Sequence, residues 1–381
     1  MKIFLKEAYE ESIVYAIYSW IIDYCLFYYE GKVNIQENSR TIVSIAVMIL
    51  FLSSCQQIEK SSARETIFDR IISIPKKLVL DVPFLPPLCD TLPDLKKGFV
   101  DIENGKMYYE EEGYGIPLVL INGGPGGTHH GFHPYFSQIK DFAHIVYYDQ
   151  RGTGKSSKDD TGKTYTIKQA VEDLESLRKA LKIDRWVVVG WSYGGLLAQI
   201  YALTYPEHCR SLILIAAQSG VSESITEPIR DRMFISQAEE SAINNIKQKS
   251  SEGKITGIQS LYNQHLAGDW KRQSYYKPTQ EELIRKARYA WGPAQGFIES
   301  IRPESDTINL EGKFDDFEIP TLIIEGKWDM LWWNPDRAEV MRKNHPHAQV
   351  EVLEKSGHYI FADEPGKFFD ILQNFLKKSN K

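Results

Sequence analysis

The spacing of apolar and polar positions divides this chain before any chemistry is considered. Short, continuously apolar runs at Pro117–Ile121, His144–Tyr148, Trp186–Val189, Ser211–Ile215, Thr321–Glu325 and Val350–Leu353 are the pattern of strands buried on both faces. Between them, Ile167–Leu181 and Leu196–Tyr205 place apolar residues at helical spacing. Strands alternating with helices predict an α/β fold with a mostly parallel sheet flanked by helices. Upstream, Gly98–Ile102 and Lys106–Glu111 flank Asn104-Gly105, a dipeptide that tolerates the positive φ of a tight hairpin turn. From Ala217 to Leu310 the sequence turns polar and helix-favouring, without a buried-strand run, and reads as a helical cap inserted between two strands. The core resumes at Ile319, and Lys367–Lys377 has the one-sided pattern of a closing helix. The expected division is therefore a core of residues 98–216 and 313–381, a cap of 217–312, and a proline-containing tether at 56–97.

Chemistry enters where the Trp186 run ends. Gly190-Trp191-Ser192-Tyr193-Gly194 leads straight into a helical pattern, which describes a strained strand-to-helix turn that exposes a serine hydroxyl. A serine is a poor nucleophile at neutral pH and needs a base, and the base needs an acid to fix its tautomer. The order Ser, Asp, His along the chain is the order this turn requires, and both partners follow strand-like runs: Asp329 after Thr321–Glu325, His358 after Val350–Leu353. Glu325 is the next candidate acid. His129, His130, His133, His345 and His347 are weaker candidate bases, because none follows a strand at the required place. His129-His130-x-x-His133 also has the look of a metal cluster, but no Cys or Glu stands at ligand spacing. Loop histidines at the surface or the edge of the site are expected instead, with no metal and no cofactor. The run Pro117–Ile121 ends in Asn122-Gly-Gly-Pro-Gly-Gly127, a turn suited to aiming a backbone N–H at a substrate oxygen. Gly124 and the amide of Tyr193 are the expected oxyanion donors.

Asn122–Gly127, Asp149-Gln-Arg-Gly-Thr-Gly-Lys-Ser156 and Gly190-Trp-Ser-Tyr-Gly-Gly195, in this order, resemble the proline iminopeptidase family of α/β-hydrolases, over about Gly98 to Leu376. The resemblance implies an α/β-hydrolase fold and release of an amino-terminal residue, typically proline, from small peptides, with cap carboxylates holding the free amine. It also implies that Asp149–Ser156 braces the active-site face. Two departures stand out: Asn122 where the family usually has His, and no Trp-Glu pair in the cap, where the nearest stretch reads Ala290-Trp291-Gly292-Pro293. Glu299 and then Glu282 are the expected amine-binding residues, with exposed helix-face glutamates as the alternative. An esterase or amidase is the nearest rival function, and a non-catalytic binding protein a more distant one.

Composition narrows the partners. In 381 residues, 45 basic and 51 acidic side chains give a formal charge of -6, against a nucleic-acid footprint. Thr41–Leu52 is an apolar run behind Arg40, of signal-peptide length and short for a membrane span. It ends in Leu52-Ser53-Ser54-Cys55, which resembles a bacterial lipobox, so residues 1–55 read as a leader with Cys55 as the lipidated anchor of a cell-envelope protein. A cytoplasmic location is the alternative. Ile13–Tyr29, interrupted by Asp23, reads either as an upstream extension of the reading frame or as a second membrane-seeking helix. Cys25, Cys55, Cys89 and Cys209 form no disulfide framework.

Overall fold

The structure, a computed structural model, describes residues 64–69, 74–221, 234–291, 295–332, 334 and 336–379. The leader and Cys55 lie outside these residues. Among the described residues no helix is long and apolar enough to cross a membrane.

One eight-stranded sheet has the order β1-β2-β4-β3-β5-β6-β7-β8. The strands are β1 Lys96–Ile102, β2 Gly105–Glu112, β3 Ile116–Ile121, β4 Ala143–Tyr148, β5 Trp186–Trp191, β6 Cys209–Ile215, β7 Thr321–Gly326 and β8 Gln349–Leu353. The β1–β2 and β2–β4 pairs are antiparallel, and every pair from β4 through β8 is parallel. The expected hairpin turns at Asn104, whose φ of 58° is the left-handed value that an asparagine tolerates.

The period-2 rule accounts for the two cores. Val119, Ile121, Val188, Leu212 and Leu214 pack on one face with Leu174, Leu177, Leu196 and Tyr201, from helices α1 (Ile167–Ala180) and α2 (Tyr193–Thr204). Their strand neighbours Leu118, Leu120, Val187, Val189, Ile213 and Ile215 pack on the other with Phe368, Leu372 and Leu376 of the closing helix. Both faces are dry, which is why these strands read as continuous apolar runs rather than alternating ones.

Residues 217–312 connect β6 to β7, and their described regular elements are helices: α3 Gln237–Ser251, α4 Gly257–Leu266, α5 Gln280–Arg285 and α6 Gln295–Ser305. Local sequence explains where the first three begin. Ser236/Glu239, Thr256/Gln259 and Thr279/Glu282 each form a reciprocal capping box that satisfies two orphan amide donors. The expected tether is docked on this layer at residues 79–85. Val79 exchanges hydrogen bonds with the Asn263 side chain, Val82 packs on Tyr262, Leu283 and Ile284, and Arg288 Nε donates to the Pro83 carbonyl. After β7 come α7 Arg337–Asn344, β8 and the closing helix α8 Pro365–Ser379.

Candidate active site

β5 runs to Trp191 and α2 begins at Tyr193, so the turn between them is Ser192 alone. The sequence pattern starts that helix at Leu196, because two glycines occupy its first turn and are poor helix formers. Packing overrides propensity there. A Cβ on Gly190 would meet the Gly194 carbonyl oxygen at 2.3 Å, and one on Gly194 would meet the Ile121 carbonyl oxygen at 2.2 Å. Only glycine lets helix and strands approach this closely. Ser192 pays with strain: φ is 58° and ψ is −125°, a region costing a non-glycine residue about 1–3 kcal/mol. The turn is held by Ser192 N–H donating to the Ile215 carbonyl at 3.0 Å, and by the Gly195 amide donating to the Ser192 carbonyl at 2.8 Å. Ser192 is 6% exposed.

Gly123, Gly124 and Gly127 form a tight loop beside this serine. A Cβ on Gly123 would stand 3.1 Å from the Ser192 Cβ, and Gly124 has φ +137°, open to glycine alone. Asn122 ties the loop's root to the neighbouring strand. Its side-chain amide donates to the Tyr148 carbonyl at 2.6 Å. The Tyr193 amide is at the first position of α2, where helix geometry gives it no intrahelical acceptor.

Asp329 and His358 come together from loops after β7 and β8. His358 Nδ1 and Asp329 Oδ2 are 2.7 Å apart, and both side chains are 4% exposed. With Nδ1 committed to the carboxylate, Nε2 is the nitrogen left to accept a proton. Asp329 Oδ1 accepts the Leu331 amide at 2.9 Å. The two loops are knitted by Lys327 N–H to the Leu353 carbonyl at 3.0 Å and Trp328 N–H to the Ser356 carbonyl at 2.9 Å. The histidine is also joined to the serine turn, since Trp191 Nε1 donates to the His358 carbonyl at 3.0 Å. Trp191, Trp332 and Tyr359 wall the imidazole, with ring centroids 5.4, 6.5 and 6.5 Å away. These aromatics were not singled out in the sequence, although two of them sit beside Ser192 and His358.

The other histidines are elsewhere. His345 Nε2 pairs with Gln199 Oε1 at 3.1 Å, and burial pushes its pKa down to about 4. His347 is exposed and bonds to the Asp315 carbonyl. Glu325, the reserve acid, is buried with Arg337 Nε 3.6 Å away. Asp149 accepts from the His129 amide, from His129 Nδ1 and from the Lys155 amide at 2.8–2.9 Å, while Arg151 makes a two-pronged pair with Asp173. That is bracing, as expected.

Two expectations need correction. His129 and His133 are buried rather than solvated, at 0% and 4% exposure. The ground for dismissing a cluster also fails. Cys89 Sγ lies 3.7 Å from His129 Nε2 and 3.5 Å from His130 Nδ1, and Glu110 Oε1 lies 3.2 Å from His129 Nε2. Strand pairing and the docked segment bring these residues in from distant sequence, so ligand spacing along the chain could not reveal them. Burial opposes charge on His129, but the adjacent Asp149 carboxylate helps to hold its pKa well above the ordinary histidine value. Burial likewise acts to raise the Glu110 pKa, and hydrogen bonds from His129 and His133 hold it below the usual carboxylate range.

Of the two cap carboxylates, Glu282 has both oxygens engaged, accepting from the Thr279 amide at 2.6 Å and the Tyr135 hydroxyl at 3.0 Å. Glu299 is exposed on α6.

The family model for the alpha/beta hydrolase fold matches residues 116–365. The proline iminopeptidase of Saccharolobus solfataricus is 28% identical over 295 residues, covering 74% of this chain and 93% of the relative. That of Lactobacillus delbrueckii subsp. bulgaricus is 32% identical over 276 residues, covering 68% and 89%. Among solved structures, an esterase from Exiguobacterium antarcticum shares the fold with a TM-score of 0.56 and 24% identity, over 72% of this chain and 96% of that one. The strained serine turn after β5 and the buried aspartate–histidine pair from the loops after β7 and β8 agree with relatives matched over most of their length, and the chain belongs to the proline iminopeptidase family of α/β-hydrolases.

Proposed function

We propose that this protein is a serine aminopeptidase of the proline iminopeptidase type, releasing amino-terminal residues, proline foremost, from small peptides through an acyl-enzyme. The observation that carries the chemistry is the buried 2.7 Å His358–Asp329 pair tied by Trp191 to the strained Ser192 turn. In this mechanism Ser192 Oγ attacks the carbonyl carbon of the first residue while His358 Nε2 takes the hydroxyl proton, and Asp329 steadies the imidazolium. The oxyanion is met by the amides of Tyr193 and Gly124. His358 then protonates the departing peptide nitrogen, and a water activated by the same imidazole hydrolyses the ester. Ser192 Oγ takes no hydrogen bond among the described residues. Without substrate the nucleophile–base contact is commonly long and tightens on binding.

The substrate's ammonium, removed from water, requires an opposing carboxylate. Glu299 or Glu282 of the inserted segment is assigned that role. Kinetics on prolyl and alanyl amides, their N-acetyl counterparts and short acyl esters test the reading. Free amino-terminal substrates are expected to exceed blocked ones in kcat/KM by about 10²–10³, the value of one buried ion-pair partner. Equal cleavage of blocked and free substrates would replace it with a general esterase or amidase.

Lipidation at Cys55 and a cell-envelope location are proposed from the Leu52-Ser53-Ser54-Cys55 motif. A lipid anchor would hold the enzyme at a membrane without a spanning helix. Membrane fractionation of the wild type and Cys55→Ala, with mass spectrometry of the amino terminus, is expected to show an acylated Cys55 in the membrane fraction of the wild type alone. An unmodified Cys55 in an intact soluble chain would exclude it.

A further inference from the structure

We propose that Cys89, His129 and His130 form a site for one Zn²⁺ ion, with a water in the fourth position. The ion would pin the segment leading into the sheet to the turn that follows the glycine loop. One ligand atom each from Cys89, His129 and His130 lies within 4.8 Å of the others, and the finer distances match zinc. With Zn–S of about 2.3 Å and Zn–N of about 2.0–2.1 Å, a tetrahedron has S···N edges of about 3.5–3.6 Å. The Cys89 Sγ distances to His130 Nδ1 and His129 Nε2 are 3.5 and 3.7 Å.

The donor set is chemically apt. A thiolate and two imidazoles suit a borderline-soft tetrahedral ion that keeps a water in its open position, whereas magnesium and calcium prefer oxygen alone. The Cys89 thiolate would bind the ion and the neighbouring Glu110 carboxylate, beside His129, would balance its second charge, in surroundings where Cys89, His129 and Glu110 are each 1% exposed or less. The supporting hydrogen bonds are those a ligated histidine needs. His129 Nδ1 is 2.8 Å from Asp149 Oδ1, which fixes the ring and presents Nε2 to the ion. Glu110 Oε2 is held by His133 Nε2 at 3.0 Å, and Oε1 accepts the Tyr108 hydroxyl at 2.6 Å. His130 is partly exposed, so an ion has a way in. Binding releases the Cys89 thiol proton and the proton of His129 Nε2 to solvent.

The two parts of the site are otherwise far apart in sequence: a short helix Leu88–Thr91 and the turn His129–Gly131. Coordination would therefore stabilise the fold where the docked segment meets the catalytic face.

The test uses the full chain, freed of metal by chelator dialysis and titrated with Co²⁺ and then Zn²⁺. One equivalent of Co²⁺ is expected to give tetrahedral visible bands and a near-ultraviolet thiolate-to-cobalt band, bleached by one equivalent of Zn²⁺. The combined variant Cys25→Ser, Cys55→Ser, Cys209→Ser keeps the band, and Cys89→Ser abolishes it. His130→Ala, at the partly exposed ligand, folds as the wild type by circular dichroism and weakens Co²⁺ binding at least about 10-fold. Absence of the thiolate band in the combined variant, its survival in Cys89→Ser, or unchanged affinity in His130→Ala would each overturn the site and leave a metal-free hydrogen-bonded network.

Discussion

The strain at Ser192 and the hydrogen bond at His358 divide the work between two residues. The positive φ breaks the line of the strand at the serine, and the buried carboxylate engages Nδ1 of the imidazole, which leaves Nε2 as the nitrogen able to accept a proton. Ser192→Ala is expected to abolish covalent labelling by a fluorophosphonate and to lower kcat by several orders of magnitude, on the order of 10⁶ in the template enzyme. Asp329→Asn keeps the shape but offers a donor where His358 Nδ1 needs an acceptor, with an expected loss on the order of 10⁴. Labelling that persists in the alanine variant, or an unimpaired asparagine variant, would move the nucleophile or the acid elsewhere. Both residues were legible in the sequence because their chemistry demands a fixed order on a fixed turn. Cys89, Glu110 and His129 were not legible as a group, because what joins them is strand pairing and docking rather than spacing.

At the level of elements, helix α4 carries an unusual burden. His265 is fully buried, and neither ring nitrogen has a partner among the described residues. Burial pushes its pKa down from 6.5 to about 3, with the nearby Lys286 ammonium acting in the same direction. The folded state thus refuses a proton that the unfolded chain accepts once the pH drops below 6.5. This residue's contribution to stability is complete above that value, falls as pH decreases toward 3, and levels off below it. His265→Leu should remove this slope, so that the melting temperature of the variant gains on the wild type between pH 8 and pH 5. A constant difference across that range would show that His265 is not the titrating group. The strands and helices α1 and α8 were readable from periodicity within a few residues, whereas α3 to α6 showed only as helix-favouring sequence and α7 was not read. The exceptions have physical causes: α2 starts early because tight packing overrides two glycines, and the π-helical turn Lys286–Ala290 after α5 leaves no mark in the apolar pattern.

Across the whole molecule, the parallel half of the sheet explains why the candidate site assembles at all. β5, β7 and β8 point the same way, so Ser192, Asp329 and His358, each just beyond a strand's carboxyl end, reach one edge of the sheet. The insertion between β6 and β7 meets that edge at a specific place. Gly127 bridges Trp291, the Thr128 amide donates to the Ala290 carbonyl at 3.1 Å, and the Thr128 hydroxyl donates to the Tyr289 carbonyl at 2.6 Å. The loop that carries Gly124 and the segment assigned to grip the substrate's amine are therefore one mechanical unit, and linkage between them must run both ways. A ligand that orders the insertion also orders the proposed oxyanion donor, which lets binding energy far from the scissile bond be realised as turnover rather than as affinity. Slower hydrogen exchange at the Thr128 amide on adding a bare amino-acid amide, together with a fall in kcat rather than a rise in KM for substrates lacking the amine, would be the signature of that exchange. An unchanged Thr128 amide would mean that loop and insertion act independently.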